Sequence, residues 1–371
     1  MLKSLFVLPF AFLFALNTNA QDFSTDRMLP DTAAKGLYFS LEQSAFIKNN
    51  EYFNEFAAGY TGIGLFAQPS FQYFFNSETK IQGGVYLLKY SGVESFNQVL
   101  PILSVQHKLG DNLDLVMGSI YGTLEHKLEE PLFRVDRYFQ DHVEYGLQLL
   151  YNDKNRFNYD FWVNWEQYIL PGDPFQEEIQ AGWTSNYQLK KEGLKISVPT
   201  QFLIHHMGGQ VDSSPDPVAS IINGAVGLEF DYPLSDSKSL IFEPWFFFYQ
   251  GWGVPETGVN SQAFNSGNSV YLKLRYETPK LNAMLGYWNA NQFIAPLGEY
   301  LFMSISEKDL SFSEADRQLI TSKISLRKTI SKHMFLELRS DFYYDLNYSQ
   351  LSYSNSLYFV INESFFLKGS K

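Results

Sequence analysis

Apolar and polar side chains alternate one by one along much of the chain, most clearly at Phe157 to Gln167, FNYDFWVNWEQ. Phe157, Tyr159, Phe161, Val163 and Trp165 share one face, while Asn158, Asp160, Trp162, Asn164 and Glu166 share the other. Successive side chains of a strand point to opposite sides, so this stretch reads as a β-strand with one apolar and one mostly polar face. Its length suits a tilted strand crossing hydrocarbon, which needs roughly 9–11 residues. An aromatic face opposite one that carries charge at mid-strand fits lipid on one side and water on the other.

Runs of this kind recur from Gly36 onward, separated by connections of two sorts. One sort is short and rich in turn residues, as at Asn76-Ser77-Glu78-Thr79, Gly110-Asp111-Asn112 and Asn152-Asp153-Lys154-Asn155. The other is longer, around 48–59, 91–97, 122–141, 168–178, 206–220, 251–268, 293–316 and 346–354. The two sorts alternate strictly, as the periplasmic turns and extracellular loops of an outer-membrane barrel do. Strands between them fall at 36–47, 60–75, 81–91, 98–109, 113–121, 142–151, 157–167, 178–189, 194–205, 221–233, 239–250, 269–277, 281–292, 317–330, 334–345 and 355–367. The expected fold is therefore all-β: one transmembrane antiparallel β-barrel over 36–371, of about 16 strands within a range of about 14–18. Both ends of the barrel lie on the short-turn side.

The final run, Leu357 to Leu367, LYFVINESFFL, ends in aromatics close to the C-terminus, with Lys368 to Lys371 trailing past it. Here the chain resembles Gram-negative outer-membrane β-barrels of the porin type. That resemblance implies an outer-membrane location, the barrel-insertion machinery as a partner, and a homo-oligomer by analogy with porins.

Residues 1–20 have the charge, apolar run and small-residue cleavage site of a signal peptide, and 21–35 form a short polar segment expected in the periplasm. Cysteine is absent, so backbone pairing and burial must hold this exported chain together. Aromatics make up 17% of residues and charged residues only 18%, which suits a lipid-embedded barrel. A net charge of −12 excludes nucleic acid as a natural partner.

The face opposite the lipid-facing row supplies candidate lumen residues. Glu144, Asp160 and Glu166 form an acidic arc, and Lys273, Arg275, Lys323, Arg327 and Arg339 a basic one, with Glu337 and Asp341 beside the bases. Burying each Arg or Lys in lipid at the midplane would cost roughly 2–4 kcal/mol, which turns these residues inward. Opposed arcs would create a transverse field across a wet lumen; alternatively, the bases pair with neighbouring carboxylates and brace the wall. Trp165, Trp183, Trp245, Trp252 and Trp288, with Tyr168, Tyr249 and Tyr287, fit an interfacial girdle. Loop 293–316 has mixed polarity and room for a short helix at Ser313 to Arg317.

His205, His206 and Asp212 are weak metal candidates, because adjacent strand residues face opposite ways. No cofactor is expected. Outer-membrane phospholipases typically carry a His and a Ser two residues apart on one strand face. Here His107 is followed by Leu109, His142 by Glu144 and His206 by Gly208. The chain is accordingly expected not to be an enzyme but a channel for passive diffusion of small hydrophilic solutes or ions, in contact with outer-membrane lipid. Its rivals are a closed barrel that binds surface partners and a lipid-modifying hydrolase.

Overall fold

The computed structural model describes residues 27–30, 35–209, 211, 213–255 and 262–369. The signal-peptide stretch lies outside them. Seventeen strand segments form one antiparallel sheet. In order they are β1 (Gly36–Glu51), β2 (Tyr60–Phe74), β3 (Thr79–Tyr90), β4 (Gln98–Gly110), β5 (Leu113–Ser119), β6 (Tyr145–Asn152), β7 (Phe157–Gln167), β8 (Glu178–Lys190) and β9 (Lys195–Met207). They continue as β10 (Ala219–Gly227), β11 (Glu229–Ser235), β12 (Lys238–Trp252), β13 (Ser266–Glu277), β14 (Leu281–Asn291), β15 (Asp316–Ser331), β16 (Met334–Asp345) and β17 (Gln350–Gly369).

The segments β10 and β11 both pair with β9 and with β12, and the register on either side of Leu228 is unchanged. They are one wall strand, so the barrel has sixteen. It closes where β1 meets β17, with Gly36 opposite Gly369 and Glu51 opposite Tyr353. Every pair is antiparallel and each inter-strand bond lies within the wall, which leaves no edge exposed to lipid.

Alternation sets the two surfaces. On β13, Val270, Leu272 and Leu274 are exposed on the outside while Tyr271 and Lys273 are buried inside. The outer row meets hydrocarbon; the inner row is covered by other parts of the chain. Three long connections fold into the lumen from the long-loop side: 52–59, 120–144 and 292–315. Phe293, Ile294, Ala295, Leu301, Phe302 and Met303 of the last one pack on Phe247, Tyr271, Trp288 and Tyr343 of the wall. A second layer joins Phe139 to Phe46 (ring centroids 4.2 Å) and Tyr358 (5.5 Å). The long-loop half of the barrel thus holds a hydrophobic core of its own.

Three sequence expectations change here. Ser313 to Arg317 is not helical: Ser313 bridges Ile305 and β15 begins at Asp316, while the helical turn sits earlier, at Tyr300–Phe302. Trp245, Trp288 and Tyr249 belong to the lumen core rather than to an interfacial girdle, because their even or odd register places them on the inward face. Arg27 to Pro30 lie inside the barrel: the Arg27 guanidinium meets Asp160 at 2.6 Å, and the Leu29 amide donates to Asp114 at 2.7 Å.

Candidate functional site

All ten candidate lumen residues face inward, and each arc is compensated close by. Arg327 and Arg339 hold Glu337 at 2.6 and 2.9 Å. Arg275 meets Glu243 at 2.6 Å and Glu277 at 2.5 Å. Loop carboxylates do the rest: Glu129 binds Lys273 at 2.7 Å, and Glu130 binds Lys323 at 2.6 Å. Asp341 stands 3.9 Å from Lys323. On the acidic side Asp160 receives Arg27 and His126, Glu144 receives His126 at 3.1 Å, and Glu166 receives Arg137 at 2.5 Å. Coulomb attraction falls with distance, so contacts under 3 Å dominate anything acting across the lumen. Local pairing, not opposed arcs, describes this interior.

These pairs seat the connection between β5 and β6. Its Asp136 takes the Lys48 ammonium and the Tyr60 hydroxyl. Burial opposes ionisation of Asp136, but Lys48 outweighs it and holds the carboxyl below its usual range. His126 lies flat on Trp162, with ring centroids 3.6 Å apart. Burial works against a charged imidazole there, yet Glu144 and Asp160 prevail and hold its pKa up at about 9. In the 292–315 connection, burial and then the charges of Asp136 and Glu130 push the Glu299 carboxyl up to about 8. Arg317 ties that connection to the wall, donating to the carbonyls of Met303 (2.7 Å) and Leu301 (3.2 Å) and to Asp345 (2.9 Å).

The adjacent histidines part company, as strand geometry requires. His205 faces the lumen, 3.4 Å from Glu178. His206 faces outward, and its Nδ1 lies 2.8 Å from Oγ of Ser220 on the neighbouring strand. The two imidazoles share no ion; Asp212 lies outside the described residues. Among the described residues no group of three or more His, Cys, Asp or Glu is arranged to hold a metal.

The His206–Ser220 pair is an imidazole beside a hydroxyl on the membrane-facing wall. It sits one residue from the long-loop end of β9, where Gly208 takes a left-handed φ of 97° and turns the chain away. Trp252, in register with Ser220, is largely exposed on the same outer surface, and Trp165, whose indole donates to Glu177 at 2.9 Å, is partly exposed there. Such aromatics mark the level where acyl chains join headgroups. Other polar pairings occur on the outer wall, among them Ser185 with Thr200 and Ser340 with Asn355, each at 2.7 Å. Thr79 and His107 form a similar 2.8 Å contact near the short-turn end. Thr61 donates to Asn49 at 2.5 Å and Asn49 to Glu51 at 2.9 Å near the long-loop end, without an imidazole.

Inspection of His-x-Ser spacing along single strands missed the outward pair because its partners lie across a strand boundary. Antiparallel register brings together residues equidistant from the β9–β10 connection, here Met207 with Ala219 and His206 with Ser220.

Fold and site together define a transmembrane barrel of the Gram-negative outer membrane with polar groups on its lipid-facing wall. The chain belongs to the lipid A 3'-O-deacylase-type family, whose model matches residues 28–370. That membership overturns the expectation that the protein is not an enzyme. No curated protein matches the sequence. Among solved structures the chain is similar to OccK8 (OprE) of Pseudomonas aeruginosa, with 10% identity, a TM-score of 0.54, and 90% of this chain and 100% of that one covered. It is similar to OprD of the same organism, at 11% identity and TM-score 0.52 over 91% and 98% of the two chains. Salmonella typhi OmpF matches at 12% identity and TM-score 0.52 over 88% and 97%. These likenesses establish the fold.

Proposed function

We propose that the protein hydrolyses an acyl ester of an outer-leaflet lipid, with Ser220 as nucleophile and His206 as general base. The observation that carries this reading is the 2.8 Å contact between them on the membrane-facing wall. A serine hydroxyl is a weak nucleophile until an adjacent base removes its proton, and a base within hydrogen-bond reach meets that need. His206 accepts the Ser220 proton as Oγ attacks the ester carbonyl. The tetrahedral intermediate collapses, the carbon–oxygen bond breaks, and His206 returns the proton to the departing alkoxide. Water, deprotonated by the same imidazole, then releases the fatty acid and restores Ser220. Family membership supports deacylation as the reaction and lipid A as the substrate.

The test is mass spectrometry of lipid A from cells that express the chain. Wild type should remove one acyl chain, and Ser220→Ala or His206→Ala should lower that by about 100-fold or more. Thr79→Ala carries the same change to the other end of the wall and should leave deacylation intact. Full activity in Ser220→Ala would remove the assignment.

One observation favours passive passage of hydrophilic solutes as a second reading. Two polar cavities, of about 680 and 420 Å³, occupy the short-turn half of the lumen. This reading requires the packed connections at the other end to leave the lumen. Steady ohmic steps from the wild-type chain in a planar bilayer would establish it, and a silent bilayer would remove it.

A further inference from the structure

The two cavities differ in chemistry. The larger one is lined by charge, including Lys127, Glu129, Asp160, Glu243, Lys273 and Arg275. The smaller lies between Arg27–Met28 and the inner faces of β1 to β4, and its wall is dominated by uncharged amides and hydroxyls. Gln68, Gln72, Gln82, Ser40, Ser70 and Ser104 all project into it. Gln82 donates to Ser70 at 3.0 Å, which fixes one amide of the lining.

Two carboxylates, Glu42 and Glu125, and two cations, Arg27 and Lys80, are built into this wall, with Arg27 3.8 Å from Glu125. Glu42 accepts the Tyr138 hydroxyl at 3.0 Å, and the His142 imidazole stands 3.8 Å from it. Lys80 donates to the Tyr121 hydroxyl at 2.9 Å and lies 5.9 Å from the Phe74 ring centroid. The cavity is therefore a near-neutral, donor- and acceptor-rich space flanked by aromatic rings.

It is also a cup rather than a passage. At the long-loop end the stacked rings of Tyr86 and His142, 4.8 Å apart, and the edge-to-face rings of Phe66 and Tyr138, 5.2 Å apart, form a closed layer. Phe66 and Tyr86 in that layer are fully buried. At the other end the lining reaches Phe74 and Lys80, which flank the short turn at Ser77. A solute entering from the periplasm stops at the aromatic layer.

We propose that this cup binds a neutral saccharide or similar polyol from the periplasmic side. Its volume of about 420 Å³ falls within the roughly 300–1,000 Å³ of small-molecule sites. Clustered hydroxyls of a sugar each need a donor or acceptor when they leave water, and a wall of amides, serines and two carboxylates supplies both. A carboxylate ligand would meet Glu42 and Glu125, and a cationic one would meet Lys80 and Arg27. The larger cavity, with its paired charges, offers no such selection for neutral partners.

Calorimetry on the folded full-length mature chain in a zwitterionic detergent, free of sugar headgroups, tests this with sucrose as probe and citrate as anionic comparison. Saturable sucrose binding is expected, weakened about tenfold or more by Glu42→Gln, since a hydrogen bond to a charged group is lost. Gln72→Ala gives an independent reading if Glu42→Gln does not fold, and should also weaken sucrose binding. Glu243→Gln, in the charged cavity, should leave it unchanged. Absence of sucrose binding, tighter binding of citrate, or binding unaffected by both cup variants would overturn the proposal. None of these results depends on deacylation.

Discussion

Trp162 and His126 stack inside the wall only because the residue opposite Trp162 on β8 is Gly182. A Cβ there would come within 2.1 Å of the indole. Gly182→Ala should therefore displace the indole and lower stability by about 1–3 kcal/mol, the usual range for overpacking. Urea unfolding in detergent micelles would register this as a lower midpoint at unchanged slope. Side-chain orientation at this scale was legible in the sequence, since strict alternation turned Asp160 and Trp162 inward and Phe161 outward. Their partners were not. His126 sits in a connection, and nothing in its local sequence, TLEHKLEE, shows that it reaches the lumen to bridge Glu144 and Asp160.

At the scale of elements, period-two patterning and turn residues located the strands within a few residues. The largest departures are β1, which runs on to Glu51, and β17, which begins at Gln350. The inward-folded connections are harder to see, because length alone does not separate a surface loop from one that enters the lumen. The clue was compositional: Phe293-Ile294-Ala295 and Leu301-Phe302-Met303 are too apolar for a solvated surface loop. The loop carboxylates Glu129 and Glu130 answer wall bases. The 292–315 connection is anchored through Arg317, which also lies over the Phe56 ring at 3.2 Å. Arg317→Ala leaves Asp345 and two carbonyls buried without their partner, a loss of about 3–5 kcal/mol for a broken buried pair. The connection should then open, so trypsin cleavage after the already exposed Lys308 should speed up and conductance should flicker. A cleavage rate equal to wild type in that variant would show that apolar packing alone retains it.

For the whole molecule, protonation links the packed connections to pH. His126 has a folded pKa of about 9 against an ordinary 6.5, so its contribution is complete below 6.5 and lost as pH rises through 9. Glu299, at about 8 against 4.5, is retained as a neutral acid, so folding is penalised increasingly as pH climbs from 4.5 to 8. Both effects carry the same sign. Loop proteolysis should accelerate between pH 6 and pH 9.5, and Glu299→Gln should flatten the lower part of that rise. Flat cleavage rates across the range would contradict the assignment of either group.

The seam between β1 and β17 joins the two ends of the chain, Gly36 to Gly369. Contacts between residues so distant in sequence carry the greatest loop-closure cost, and chains rich in them fold slowly. The cylinder therefore has a natural last step, zipping first strand to last. Until then Arg27 to Pro30 and the inward connections are open from the side. Afterwards they can be reached only through the two mouths. Closure of the seam is thus the moment at which the barrel's contents become captive, and the order of assembly decides what is held inside.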